Sequence, residues 1–184
     1  MPVVGPRLAL DALHSFLTTS SGTTLSLNDE LALYRTQESL DTTQVPDVVT
    51  FTKGVTLGSQ TTSKSPVVST AWIGSSGETT NNSRILQNRF WLDLLLIDKD
   101  VAGDEATLML RILDYVSVML TMFMRGSVAG AKGYTLNNGT GNSVSRINRA
   151  SIDDVIYGED GDLNDANTVI RFSITIETIE DYPG

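Results

Sequence analysis

Residues 84–124 constrain the fold more than any other part of this chain. Arg84-Ile-Leu-Gln-Asn-Arg-Phe-Trp-Leu-Asp-Leu-Leu-Leu-Ile runs into the acidic turn Asp98-Lys-Asp, then into a long apolar helix candidate ending near Met124. Phe90, Leu92, Leu94 and Leu96 fall on one face of the predicted strand. Trp91, Leu95 and Ile97 fall on the other, with Asp93 among them. A strand apolar on both faces is expected to be central and covered on both sides. The following helix is predicted to be capped by Asp104 with Glu105 beside it, where negative charge suits a helix N-terminus. Leu108, Ile112, Tyr115, Met119 and Met122 track one stripe; Met109, Leu113, Val116, Leu120 and Phe123 widen it. So wide an apolar face predicts burial on more than one side. Such a unit fixes where the core lies and leaves little polar chemistry inside it.

The flanking segments fill in the rest. Leu8, Leu10, Leu13, Phe16 and Leu17 recur at three- and four-residue steps and predict a first helix over Arg7–Thr19. Residues 28–36 carry two readings. Leu31, Leu33 and Arg35 alternate with Ala32, Tyr34 and Thr36, which favours a strand, while Asn28-Asp-Glu suits the start of a short helix. The strand is preferred. Pro46-Asp-Val-Val-Thr-Phe-Thr-Lys-Gly has β-branched and aromatic density and a glycine stop, and predicts a further strand. From Gly58 to Ser83 the composition turns to Ser, Thr, Gly, Gln and Asn, interrupted by Val67–Ile73. That stretch reads as a projecting hairpin centred on Trp72, or as an arm ordered only by a partner. Gly126–Ser145 is a second Gly/Asn-rich loop, with a short strand at Val144–Ile147; Ile152–Asp165 reads as acidic and turn-rich. Ile170, Phe172, Ile174 and Ile176 alternate strictly with Arg171, Ser173, Thr175 and Glu177, marking Val169–Glu180 as an antiparallel strand with one wet face. Together these elements predict one α+β domain over residues 1–184. Its mainly antiparallel sheet packs against an N-terminal helix and a long central helix, with extended polar loops at 58–83 and 126–145.

Composition narrows the function. The chain has no cysteine, which removes disulfides, thiolate nucleophiles and cysteine metal sites. A net charge of −9 argues against nucleic acid as a ligand, since phosphate binding needs a basic patch. No basic segment followed by an apolar core occurs in the first thirty residues, so no signal peptide is expected. The apolar run Leu108–Met124 includes Arg111 and Asp114 and is shorter than the roughly 20 residues of a spanning helix. A soluble protein is expected.

Motifs that carry chemistry are weak. The single histidine, His14, would have to serve any triad, and Gly74-Ser-Ser-Gly lacks nucleophile-elbow spacing. His14 reads as a surface or boundary residue. Gly126-Ser-Val-Ala-Gly-Ala-Lys-Gly lacks the Gly-Lys-Ser/Thr ending of a phosphate loop and follows a helix instead of preceding one. Asp160-Gly-Asp-Leu-Asn resembles the start of a calcium loop, but Asp165 stands where glycine is needed and Arg171 where a bidentate Glu is needed. The neighbouring acids Asp153-Asp154 and Glu159-Asp160 read as surface pairs rather than as facing catalytic carboxylates. Met109, Met119, Met122 and Met124 at helical spacing read as core in preference to an adaptable groove. Trp72, isolated in a polar stretch, is either a hairpin anchor or an interface hot spot.

The order of elements carries a resemblance. With Arg7–Leu17 as first helix, Leu31–Arg35 and Val48–Lys53 as early strands, Asn88–Ile97 leading into helix Asp104–Met124, and Ile170–Ile179 as closing strand, the chain resembles the tail-terminator and tail-completion (neck) proteins of long-tailed bacteriophages. The resemblance rests on order and pattern across nearly the whole chain. The stretches 58–83 and 126–145 are longer than a minimal member needs. It implies a non-enzymatic virion protein without cofactor or metal. Such a protein forms a homo-oligomeric, typically hexameric, ring that caps the tail tube and joins it to the head–tail connector. DNA would pass through without specific binding, no membrane would be involved, and an acidic lining would let the phosphates slide. Trp72, Ile73 and Tyr134 are the candidate interface residues. The alternatives are a head–tail connector or other tail-completion subunit, and a soluble binding module that uses its long loops.

Overall fold

The computed structural model describes residues 6–20, 25–54, 66–79, 83–97, 105–125, 135–137, 143–159 and 167–181. In chain order the elements are α1 (Pro6–Thr18), α2 (Leu27–Glu38), β1 (Thr50–Lys53), β2 (Val67–Thr79), β3 (Ser83–Ile97), α3 (Glu105–Arg125), β4 (Thr135–Asn137), β5 (Ser143–Glu159) and β6 (Asn167–Asp181). The strands form one six-stranded sheet in the order β1-β2-β3-β6-β5-β4. Only the β1–β2 pairing is parallel. The protein is therefore α+β, with a mostly antiparallel sheet against an N-terminal and a long central helix.

β3 lies inside the sheet, as its two apolar faces require. It pairs with β2 on one side and with β6 on the other, from Ser83↔Asp181 to Ile97↔Asn167. Phe90, Leu92, Leu94 and Leu96 join Ile170, Phe172, Ile174 and Ile176 of β6 in the main core, against residues of all three helices. The opposite face carries a smaller cluster of Val67, Leu95 and Val169. Beside it Asp93, 2% exposed, receives a two-pronged pair from Arg171, Nε to Oδ1 at 2.7 Å and Nη2 to Oδ2 at 2.8 Å. The same guanidinium stacks 4.2 Å over the Trp91 ring. This pairing lets a carboxylate sit in a Leu-rich strand, because an unpaired buried charge would be strongly destabilising.

The first helix forms as expected, with Pro6 at the first helical position, where its missing N–H costs nothing. Ala9, Leu13 and Leu17 are buried one turn apart, and Phe16 meets Phe123 of α3 edge-on at 5.2 Å.

Residues 28–36 are helical, which corrects the strand expected at Leu31–Arg35. The cap decides it. Ser26 accepts a hydrogen bond from the Asp29 backbone N–H at 3.3 Å, and the Asp29 carboxylate accepts from the Ser26 hydroxyl at 2.7 Å and from the Ser20 hydroxyl. Asp29 and Glu30 sit in the first turn and Arg35 in the last, each where the helix dipole favours its charge. Leu27 and Leu31, four residues apart, are buried together. That spacing outweighs the alternation at 31, 33 and 35. Ser39 ends the helix in the left-handed conformation, φ 57°.

The strand expected from Pro46 shortens to Thr50–Lys53 and stops at Gly54, whose φ of +82° suits glycine. The preceding connection is held by side chains. Asn28 makes reciprocal bonds with Val48 (2.8 and 3.0 Å), and Arg35 reaches the Val45 carbonyl and the Asp47 carboxylate, both at 2.8 Å. From α3, Arg111 donates to the Gln44 and Thr43 carbonyls (2.7 and 2.9 Å), and the Tyr115 hydroxyl donates to the Pro46 carbonyl at 2.5 Å.

The short strand expected at Val144–Ile147 is instead the start of the 17-residue β5, which also takes up residues 152–159 of the stretch read as turn-rich. Bulges between Ile147 and Arg149 and between Ile152 and Asp154 absorb the acidic pair without breaking the ladder to β6.

Candidate functional site

Val67–Thr79, in the middle of the polar stretch 58–83, is ladder-bonded to β3 from Val67↔Leu95 to Thr79↔Arg84. Between Trp72 and Gly74 the register shifts, because Ile73 is an extra residue without a partner on β3. The bulge turns two large side chains outward, leaving Trp72 49% and Ile73 42% exposed. The indole N–H donates to the Ser75 hydroxyl at 3.1 Å, and that hydroxyl donates to Asn88 Oδ1 at 2.7 Å. Asn88 Nδ2 in turn lies 3.5 Å from the Thr178 hydroxyl of β6. Asn88 and Thr178 are buried, so the exposed ring stands on a fixed polar foundation. A few residues on, a Cβ at Gly77 would sit 2.6 Å from Leu86 Cδ2 and 2.8 Å from the Ile85 carbonyl oxygen. Glycine there keeps the two strands of the hairpin close. Tyr134, the third candidate interface residue, lies outside the described residues, as does the glycine-rich stretch 126–133.

A second apolar surface runs along α3. The stripe Ile112, Tyr115, Met119 and Met122 packs onto the core, with Val118 and Phe123. The widening residues do not all follow. Leu113 is 52% exposed, and Met109 and Leu120 are also exposed, together with Leu110 and Met124. This corrects the expectation of burial on more than one side. α3 meets α2 and the sheet on one flank, and its other flank faces outward. The methionines divide the same way, Met119 and Met122 buried and Met109 and Met124 exposed. No charged side chain occurs among the exposed positions described between 106 and 124. Arg111 and Asp114 turn back to their own chain, Arg111 to the 43–44 carbonyls and Asp114 to the Tyr34 hydroxyl at 2.7 Å. By length and composition Ala106–Met124 would also suffice to cross a membrane, yet a third of it is buried in the protein.

The candidate catalytic groups are not brought together. Gly74-Ser-Ser-Gly is strand, not a strand-to-helix elbow. His14 lies on α1, with its pKa lowered by partial burial and the Lys53 charge against the opposing pull of Asp11. Asp153 accepts from the Ser151 and Thr175 hydroxyls (3.0 and 2.5 Å), whereas Asp154 accepts from the Val155 backbone N–H at 2.9 Å. Both serve the bulge in β5. No group of three or more His, Cys, Asp or Glu side chains suited to a metal occurs among the described residues. The Asp160 turn lies outside them.

Trp72 and Ile73, expected as interface candidates, are exposed, and the outer face of α3 is a further exposed apolar surface that sequence reasoning did not single out. The missed signal was present in the sequence, as apolar residues that recur at steps of four and three on the side of α3 away from Tyr115. No model of a known protein family matches this sequence, and no curated protein sequence matches it.

Proposed function

We propose that this chain is a structural assembly subunit, of the kind that closes the tail of a long-tailed bacteriophage as a homo-oligomeric ring between tail tube and neck. The observation that carries the reading is the Trp72–Ile73 bulge, a large exposed apolar pair on the sheet, together with a second and separate exposed apolar surface, the outer face of α3. A ring closes through a contact between different patches on adjacent copies, and the bulge offers one side of such a contact. The bulge has the character of an interface anchor, a large aromatic presented on a pre-ordered base. Of the element order that carried the resemblance, the first helix, the long central helix and the closing strand support the terminator type, whereas the early strand at Leu31–Arg35 is a helix. The net charge of −9 suits a passage through which DNA slides without being held.

Negative-stain imaging, with light scattering during size exclusion, tests the reading. Rings with a central hole are expected, and a monomer at every concentration overturns it. Trp72→Ala is expected to abolish rings while leaving the melting temperature of the subunit almost unchanged. A large fall in melting temperature would make Trp72 an internal anchor instead.

A further inference from the structure

We infer that the outer face of α3 is a coiled-coil seam that binds the same helix of a second copy, antiparallel, about a two-fold axis. Ala106, Leu110, Leu113, Ser117, Leu120 and Met124 are all exposed. Their spacing of four, three, four, three and four residues averages 3.6, so they line one face of the helix along its whole length, in the alternating steps of three and four that a seam uses. Intervening positions Ile112, Tyr115, Val118, Met119 and Met122 hold the helix to its own core. The two jobs are thus divided between two sides of one helix.

The order of side chains along the seam specifies the occupant. When two copies run antiparallel about the midpoint near Tyr115, every seam position finds a seam position. Ala106 faces Met124 of the second copy, Leu110 faces Leu120, and Leu113 faces Ser117. Two of these layers set a large side chain against a small one, the condition for close packing without voids or clashes. A parallel pair would face Leu with Leu, Ser with Ser and Ala with Ala, leaving uneven gaps. The seam therefore complements itself in one orientation.

Charge also favours protein over lipid. Helices that lie on membrane surfaces flank their apolar face with Lys and Arg, whereas the exposed positions described on α3 carry no charge and the chain is strongly acidic. The area sets the strength. The face offers five large exposed apolar side chains, Met109, Leu110, Leu113, Leu120 and Met124, against the roughly 20–30 residues each partner gives to a standard complex. The pair is thus reversible at low concentration and is reinforced when another contact, such as the Trp72–Ile73 bulge, joins it. A two-fold seam combined with a head-to-tail contact generates two rings stacked back to back. The pairing itself stands independently of the phage reading.

Because the chain has no cysteine, introduced ones report cleanly. Mild oxidation of mixed A106C and M124C proteins is expected to give a crosslinked pair of the two, while A106C alone stays uncrosslinked. Crosslinking of A106C to itself would show a parallel arrangement and overturn the proposal. In sedimentation equilibrium the unmodified protein is expected to associate with rising concentration, and L110E/L113E to lose at least tenfold in association while keeping its melting temperature. Unchanged association in L110E/L113E overturns the seam, and if rings persist in that variant the ring reading survives. Pairs that form but never extend to rings sink the ring reading and leave the seam intact. Binding of the unmodified protein, but not of L110E/L113E, to phosphatidylcholine vesicles assigns the face to lipid and also overturns the proposal.

Discussion

Ile112, Tyr115, Val118, Met119 and Met122, on the inner side of α3, are at most 4% exposed, whereas Leu110, Leu113 and Met124 around the same helix are more than half exposed. Both sides are apolar. The difference lies in what surrounds them. The inner side and its flank carry the polar attachments, with Arg111 and Tyr115 bound to the 43–46 connection and Asp114 to Tyr34. The outer side has no charged residue among its described exposed positions. An ordinary surface helix has the opposite arrangement, with charge outward. The comparison teaches that an apolar stripe on a helix does not by itself say whether the rest of the chain covers it.

Substitutions on the two sides should separate most widely. Met119→Ala is expected to cost about 2–5 kcal/mol through lost contacts and the cavity left behind. For a domain of this size each kcal/mol lowers the melting temperature by about 2–4 °C. Leu110→Ala, measured by the same thermal denaturation in dilute solution, is expected to stay within about 0.5 kcal/mol of the parent. Equal losses at the two positions would break the comparison.

A smaller effect is expected on the flank. The Tyr34 phenol is pushed up to about 12, by burial first and then by its hydrogen bond to Asp114 and that carboxylate's charge. Tyr34→Phe removes the bond and should destabilise by about 1 kcal/mol in urea unfolding. No change would mean that Asp114 finds water as good a partner, and that the flank does not hold α3 in its orientation.

The smallest effect is at the cap of α2. Hydrogen bonds from Ser20 and Ser26 lower the Asp29 pKa below its ordinary value of 3.8. A carboxylate depressed on folding contributes stability that is present above the unfolded pKa and is lost as pH falls through the folded one. Asp29→Asn should therefore flatten the acid limb of a stability profile below about pH 4 and leave the slope at neutral pH untouched. An unchanged acid limb would show that the cap does not depend on the Asp29 charge.

Where local pattern and tertiary environment agree, the fold was legible. β3 reads as central from two apolar faces, β6 from strict alternation, and α1 from three- and four-residue steps. Residues 28–36 misled because period-2 alternation was weighed above the helix-start signal in Ser26-Leu27-Asn28-Asp29, whose capping hydrogen bonds decide the case. β5 was underestimated because Asp153-Asp154 looks like a turn, and only pairing with β6 turns it into a bulge. Of the candidate surface, Trp72 stood out through its contrast with polar neighbours. The outer face of α3 did not, since an exposed Leu on a helix has the same periodicity as a buried one.

The pairing of Asp93 with Arg171 joins residues 78 positions apart, and the whole β3–β6 ladder spans similar separations. Asp93, 2% exposed, would be costly to bury without its cation, so neither residue can be changed alone without stranding the other. What looks like a flaw in the middle of the sheet is tolerable only together with its partner from far along the chain.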